Sequence, residues 1–250
     1  MLEVWFRFYG ELNDFMRPER RVRRFAHRLH GAASIKDTIE ALGVPHPEVD
    51  VIVVNGQAVD FGYRMRDGDC VAVYPRFRSL DLGDVSRVGE PVPDPVRFVL
   101  DVHLQKLASL LRLAGFDGEV RDEDAGIARM GSLEARVVLT RDLELLKRNE
   151  VRWGYWVRST DPVRQFLELV HRFDLGRHAR PFSRCLRCNG PLRPVGKDEV
   201  VDRLPPRTRA EFDEFHACDG CGRIYWRGSH YQRLRQFLER SLAAGQVSIT

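Results

Sequence analysis

Residues 137–142 read Val137-Val138-Leu139-Thr140-Arg141-Asp142, an apolar run that stops abruptly in a hydroxyl, a cation and an acid. Unbroken apolar runs of this kind belong to strands covered on both faces, the condition of a parallel sheet; a strand with one wet face alternates instead. The next residues, "DLELLKRN", read as a helix with Asp142 in the N-cap place. The stretch therefore predicts a strand, an acid and a helix in succession. The unit recurs on both sides. "VRFVLD" is a strand ending at Asp101, followed by "HLQKLASLLRLAG", with apolar residues at Leu104, Leu107, Leu110, Leu111 and Ala114 and a stop at Gly115. "FDGEV" is a short strand, after which Asp122, Glu123 and Asp124 open a helix reaching Leu133. "GYWVRS" is a strand, and "DPVRQFLELVHRF" a helix with Asp161 as N-cap and Pro162 at its first position. Repeated strand–helix units over residues 96–176 predict a mainly parallel α/β sheet with helices on both faces.

In such a sheet ligands bind outside the carboxyl ends of the strands. Acids at those ends converge on one edge even when they are distant in sequence, and Asp101, Asp122, Asp124, Asp142 and Asp161 all fall there. Convergent carboxylates repel unless a cation sits among them. Mg²⁺ and Mn²⁺, hard ions that take oxygen ligands, are the natural occupants. A metal so held activates water and neutralises charge on a scissile phosphate, the chemistry of phosphodiester hydrolysis. Asp is also a favoured N-cap, so Asp124, Asp142 and Asp161, each taken singly, are expected as plain caps ahead of ligands, and it is the joint pattern that points to a metal; Asp101, directly ending an apolar strand, is the acid least explained as a cap.

Two further segments flank this one. Residues 1–78 read as strand ("EVWFRFYG"), hairpin partner ("RRVRRFAHRL"), a helix over "SIKDTIEAL" capped by Ser34 and stopped by Gly43 and Pro45, a strand "VDVIVV" closed by the turn "NG", and a last strand "CVAVYP". The order ββαββ predicts a small sheet with one helix across it. Residues 79–95, rich in Pro, Asp and Gly, read as an extended linker. Residues 177–250 carry "CLRC" and "CDGC", separated by 29 residues, and end in a surface helix. In a cytoplasmic chain paired C-x-x-C motifs are a metal site rather than disulfides. Cys185, Cys188, Cys218 and Cys221 are expected to hold a structural zinc, with an iron–sulfur cluster or a redox pair as the alternatives. Cys70 is expected in a strand core, and His178, His216 and His230 as surface residues. Around the cysteines lie Arg180, Arg184, Arg187, Arg193, Arg223 and Arg227 with Tyr225 and Trp226. These suit a single-stranded nucleic acid by phosphate contact and base stacking, or else the two aromatics pack the ribbon.

"FVLDVHLQKLASLLRLAGFD", "DEDAGIARMGSLEARVVLTRD" and "STDPVRQFLELVHRFDL" together resemble the Mut7-C RNase domain, a PIN-like nuclease family with a zinc ribbon. "IKDTIEALGVPHPEVDVIVVNG" and "DGDCVAVYPRF" resemble the ubiquitin-like β-grasp module that precedes it. The resemblance implies three parts: a β-grasp domain (1–78), a PIN-like parallel α/β domain (96–176) and a zinc ribbon with a C-terminal helix (177–250). It implies a ribonuclease in which Asp101 is the first-strand acid, Asp124 opens the second helix and Asp142 is the acid of "TRD". Asp161 is then a fourth candidate, and Asp122 substitutes for or assists Asp124. In this chain that helix continues "DAGIARMGS", where the family usually has more acids and Leu; its two glycines weaken it by up to about 1 kcal/mol each. Sulfur carriage, for which β-grasp carriers use a free C-terminal Gly-Gly, is not expected, because the chain runs on through "YPRFRSLDLG". What remains for the ubiquitin-like module is a binding or scaffolding role, a protein partner being one expected target.

Composition narrows the setting. Of the 40 basic residues only 4 are Lys, a bias of genomic base composition more than of chemistry. Residues 81–176 hold 14 basic and 17 acidic residues and residues 177–250 hold 14 and 8, so the basic end is the one suited to a polyanion. No apolar run approaches the roughly 20 residues that span a bilayer, and "MLEVWFRFYG" alternates like a strand rather than a signal peptide, so a cytoplasmic location without membrane contact is expected. The competing expectation is a non-catalytic adaptor, binding nucleic acid or protein through its flanking modules, with the acids serving as caps.

Overall fold

A computed structural model describes residues 1–31, 33–76 and 88–244. Most of the expected linker therefore lies outside the described residues. The chain divides into two compact units, each built from separate stretches: residues 1–93 with 123–156, and 94–122 with 157–250.

The first unit opens with a five-stranded sheet. Its strands are β1 (Leu2–Phe8), β2 (Phe25–Leu29), β3 (Val49–Val54), β4 (Gln57–Val59) and β5 (Cys70–Pro75), in the order β2-β1-β5-β3-β4. β1 runs parallel to β5, and the other pairs are antiparallel. Alternation in β1 sends Val4, Phe6 and Phe8 inward, where they meet Ile35 and Ile39 of α1 (Ile35–Ala41). Ser34 caps α1 by accepting a hydrogen bond from the Asp37 N–H at 3.1 Å, as the sequence predicts. Gly43, at φ +107°, ends it. Asn55 and Gly56 both take positive φ, the geometry of a tight hairpin turn, and so create β4, a strand the ββαββ reading lacked. Cys70 is a correction: it sits half-buried on the outer face of the sheet, its Sγ 2.9 Å from the Arg24 guanidinium, rather than in the core.

The same unit contains α3 (Asp124–Leu133), β8 (Val137–Thr140), α4 (Leu143–Leu146) and β9 (Gly154–Trp156). β8 and β9 pair in parallel, and every residue of β8 is buried, as an inner strand requires. The β-grasp sheet and this α/β pair are joined by specific bonds. The Trp156 N–H donates to buried Glu48 at 2.7 Å, His46 bonds the Val151 carbonyl at 2.9 Å, and the Phe15 ring lies 5.2 Å from Trp156.

The second unit contains β6 (Phe98–Asp101), α2 (Gln105–Leu113), β7 (Gly118–Arg121) and α5 (Pro162–Phe173). β6 and β7 pair in parallel, and Phe98, Val99 and Leu100 are fully buried. α2 and α5 bury Leu107, Leu111, Phe166, Leu169 and Val170. A three-stranded antiparallel ribbon follows, formed by β10 (Leu192–Val195), β11 (Phe215–Cys218) and β12 (Ile224–Trp226). The loop between its cysteine pairs folds into two short helices, α6 (Lys197–Val200) and α7 (Pro206–Glu211). The last helix, α8 (Tyr231–Ala244), packs on α5, with Phe237 6.0 Å from Phe166. Among the described residues no helix is long and apolar enough to cross a membrane.

Candidate functional site

Asp101 is the last residue of β6, and its Oδ1 accepts from the His103 N–H at 2.9 Å. Asp142 follows β8, and its Oδ1 accepts from the Glu144 N–H at 2.8 Å. Asp161 opens α5, accepting from the Arg164 N–H at 2.9 Å. All three acids are thus caps, Asp101 included. Two share a further device. The hydroxyl two residues upstream accepts the acid's own N–H, from Asp142 to Thr140 Oγ1 at 3.0 Å and from Asp161 to Ser159 Oγ at 3.1 Å. That is why the opening run ends in Thr: a buried hydroxyl fixes the backbone that presents Asp142. Asp124 is the first residue of α3, with Glu123 in the N-cap place, and Asp122 is exposed just before it.

Around Asp161 the sequence reading overlooked Glu168. Its two carboxylate oxygens accept the N–H groups of Arg158 and Ser159 at 2.9 and 2.7 Å, holding the loop that ends at Asp161. A polar cleft of about 460 Å³ in the second unit is lined by His103, Lys106, Ser109, Thr160 and Gln165. It puts the Lys106 ammonium of α2 and the His103 imidazole of its lead-in turn beside the start of α5.

The four cysteines come together. All four Sγ atoms lie within 4.8 Å of one another, with Cys185 to Cys221 at 3.6 Å and Cys188 to Cys218 at 3.3 Å. A tetrahedral ion with Zn–S bonds near 2.3 Å requires sulfurs about 3.8 Å apart, so the donor set and its spacing fit such an ion. Among the described residues, no three acids bring their oxygens that close. The knuckles are tight: the Cys185 N–H bonds Gly190 O at 2.8 Å and the Gly222 N–H bonds Cys218 O at 2.8 Å. A side chain at Gly190 would lie 3.0 Å from Cys218 Sγ.

Burial opposes ionisation of Cys185, but hydrogen bonds from the Tyr225 hydroxyl, the Cys188 and Arg187 backbone and Cys221 prevail and bring the thiol down to about 6. At Cys188 the Gly190 N–H favours the thiolate. Burial and the three neighbouring sulfurs outweigh it and push the thiol up to about 12. Four sulfurs so placed cannot all ionise without a cation among them.

The ribbon is pinned to the α/β elements of its own unit by two residues the sequence reading passed over. Buried Arg112 of α2 donates to the Gly118 carbonyl at 2.9 Å and to the Leu186 and Arg187 carbonyls at 3.1 Å each, inside the first knuckle. Burial lowers its pKa, and the Glu119 carboxylate and the Cys185 sulfur counter this. Asn189, at φ +67°, accepts from the Gly118 N–H and donates to Asp117 and Glu119 at 2.7 and 2.9 Å. The visible signal was Asn in "CNG", since Asn tolerates the left-handed region.

The two aromatics part company. The Tyr225 hydroxyl bonds Cys185 Sγ at 3.1 Å and the Leu186 N–H at 3.2 Å, so it belongs to the cysteine knuckle, and burial raises its pKa. Trp226 is 37% exposed and lines an open cleft.

No curated protein matches this chain. Two solved structures align to its N-terminal part. SAMP1 from Haloferax volcanii is 18% identical over 30% of this chain and 96% of its own, at a TM-score of 0.25. A protein described as molybdopterin converting factor, subunit 1, from Pyrococcus furiosus is 20% identical over 31% and 100%, at the same TM-score. Values that low carry no argument here, and the β-grasp assignment rests on the topology above and on the Mut7-C ubiquitin model, which matches residues 1–81. The remainder is decided by a second model, that of the Mut7-C RNAse domain. It matches residues 96–238, more than half the chain, and takes in both the strand-end acids and all four cysteines, so this chain belongs to the Mut7-C RNAse domain family.

Proposed function

We propose that this chain is a metal-dependent ribonuclease that hydrolyses phosphodiester bonds in single-stranded RNA. Asp101, Asp124 and Asp142 would hold Mg²⁺ or Mn²⁺, Asp122 would assist Asp124, and Asp161 would serve as a fourth acid. The observation carrying the proposal is that Asp101 ends one buried parallel strand and Asp142 lies two residues past the end of another, each with its carboxylate held by a backbone N–H two residues on. Carboxylates fixed in this way are presented at strand carboxyl ends without further ordering cost. When bound, the ion would lower the pKa of a water and neutralise charge on the phosphate. The chain's own part is orientation: Thr140 and Ser159 set the backbone before Asp142 and Asp161, Glu168 steadies the 158–159 loop, and the Lys106 ammonium, in the cleft it shares with His103, would attract the anionic strand.

Cys185, Cys188, Cys218 and Cys221 would carry a structural zinc, whose full shell leaves no place for substrate. The ubiquitin-like module offers a surface for a protein partner, and the setting is cytoplasmic. Mn²⁺ at neutral pH is expected to raise the melting temperature, and Asp101→Asn with Asp142→Asn to abolish both that gain and the cleavage of single-stranded RNA. Cleavage that survives the double substitution overturns the proposal.

One observation favours a second reading, a non-catalytic adaptor: Asp101, Asp142 and Asp161 all act as helix caps, a sufficient structural reason for their presence. RNA binding without any metal-dependent cleavage would decide for it.

A further inference from the structure

Two clefts of the second unit meet at one arginine. The first, about 530 Å³, is mainly apolar. Leu113, Leu186 and Ile224 are among its lining, Trp226 stands at its side, and the Phe182 and Tyr231 rings meet at a tilt of 38° with centroids 4.6 Å apart. The second, about 550 Å³, is lined by Arg97, Arg177, Arg180 and Arg184 against Asp94 and Asp117. Arg184 lines both. The segment between them is held rigidly. The Arg180 and Phe182 N–H groups donate to the Ala114 and Leu113 carbonyls at the end of α2, both at 2.9 Å, and the Ser183 hydroxyl donates to Arg180 O at 2.6 Å. Gly115 permits this approach, since any side chain there would collide with the Arg180 carbonyl.

An aromatic, apolar cleft of this size takes a flat ring system. A neighbouring cleft with four guanidiniums against Asp94, Asp117 and, at Arg177, Asp174 keeps a positive excess that suits anions. Covalently linked flat rings and anions, one after the other, describe a nucleic-acid strand whose bases are free of a duplex. We propose that these clefts form one binding groove for single-stranded RNA, with an unstacked base against Trp226 and Tyr231 and the adjoining phosphates on Arg180 and Arg184. The groove deepens the ribonuclease reading and rests on it for the choice of RNA. None of the proposed acids lines either cleft, and the groove holds the strand rather than cutting it. Arg177 and Arg184 are partly neutralised by Asp174 and Asp117, at 2.7 and 3.5 Å, which makes Arg180 the clearest phosphate contact to remove.

The test is fluorescence anisotropy with a short labelled single-stranded RNA and the zinc-loaded full chain carrying Asp101→Asn and Asp142→Asn, titrated at several salt concentrations. On that background Trp226→Ala should weaken binding about 5- to 100-fold, with the salt dependence unchanged. Trp226→Phe should restore most of it. Arg180→Gln should lower the slope of log affinity against log salt by about 0.7, as loss of one phosphate contact requires. Zinc content and melting temperature verify that each variant is folded. Affinity unchanged in Trp226→Ala, or a duplex of equal length bound as tightly as the single strand, overturns the groove. Because binding is read on a background that cannot cleave, loss of the nuclease reading would appear separately, as wild-type chain that binds this RNA through Trp226 but leaves it intact.

Discussion

At Asp142 one carboxylate caps α4 and, on the proposed function, would also bind a cation, and substitution separates the two roles. Asn caps a helix as well as Asp does but brings no charge, so Asp142→Asn should keep stability within about 0.5 kcal/mol while losing the response to Mn²⁺. Asp142→Ala should lose about 1 kcal/mol besides. Urea unfolding of the two variants, with and without Mn²⁺, checks both; an Asn variant as unstable as the Ala one would show that the cap is not what the residue supplies. Glu168 makes the opposite case. Its carboxylate accepts two backbone N–H groups in the partly buried 158–159 loop, so Glu168→Ala strands both donors and should cost about 1–3 kcal/mol. The Asp positions were readable because an acid after an apolar run is a local pattern. Glu168 was not, since "FLELV" reads simply as a helix with one polar face and its partners lie up to ten residues away.

Among the elements, the strands and helices of the α/β part follow from short-range pattern, and α3 spans Asp124–Leu133 as the sequence predicts. β4 escaped because three residues after an Asn-Gly turn are too few to show alternation; the pairing of Val54 with Gln57 makes them a strand. The glycines of α3 were read as a weakness, and Gly126 tests this. A methyl group there would meet the Glu123 Cβ at 3.8 Å, ordinary contact, so Gly126→Ala should stabilise by up to about 1 kcal/mol in urea unfolding. Gly115 predicts the reverse. It sits at φ +93° and an added Cβ would lie 2.0 Å from the Arg180 carbonyl oxygen. Gly115→Ala should therefore destabilise by at least about 1–3 kcal/mol and speed hydrogen exchange at Arg180 and Phe182, whose N–H groups bond the end of α2. Equal exchange in variant and parent would mean that segment is not held there.

For the whole molecule, a cysteine quartet spaced to hold a metal would tie folding to that metal and to pH. With Cys185 brought down to about 6, that thiol is already ionised near neutral pH, while Cys188, pushed up to about 12, still holds its proton. Zinc uptake near neutral pH should then release fewer than four protons, and the number should rise as pH falls below 6, where Cys185 takes its proton back. Calorimetry in buffers of differing ionisation enthalpy measures this; four protons released at neutral pH would contradict the Cys185 assignment. The sequence reads residues 1–78 as a module with its own element order, and what it does not display are its long-range bonds: His46 and Glu48 bond Val151 and Trp156 across more than a hundred residues, and no local pattern announces contacts of that span. Residues 123–156 belong to the same compact unit as the β-grasp sheet. A fragment beginning at residue 96 would remove the acceptor of the Trp156 N–H and expose the side of β9 that packs against Pro47 and Phe15. Such a fragment should melt below the full chain, with amide protection lost first in β8 and β9 and retained in β6 and β7. Hydrogen exchange on the two proteins reads this directly, and equal protection of all four strands would show that the N-terminal module is a detachable passenger.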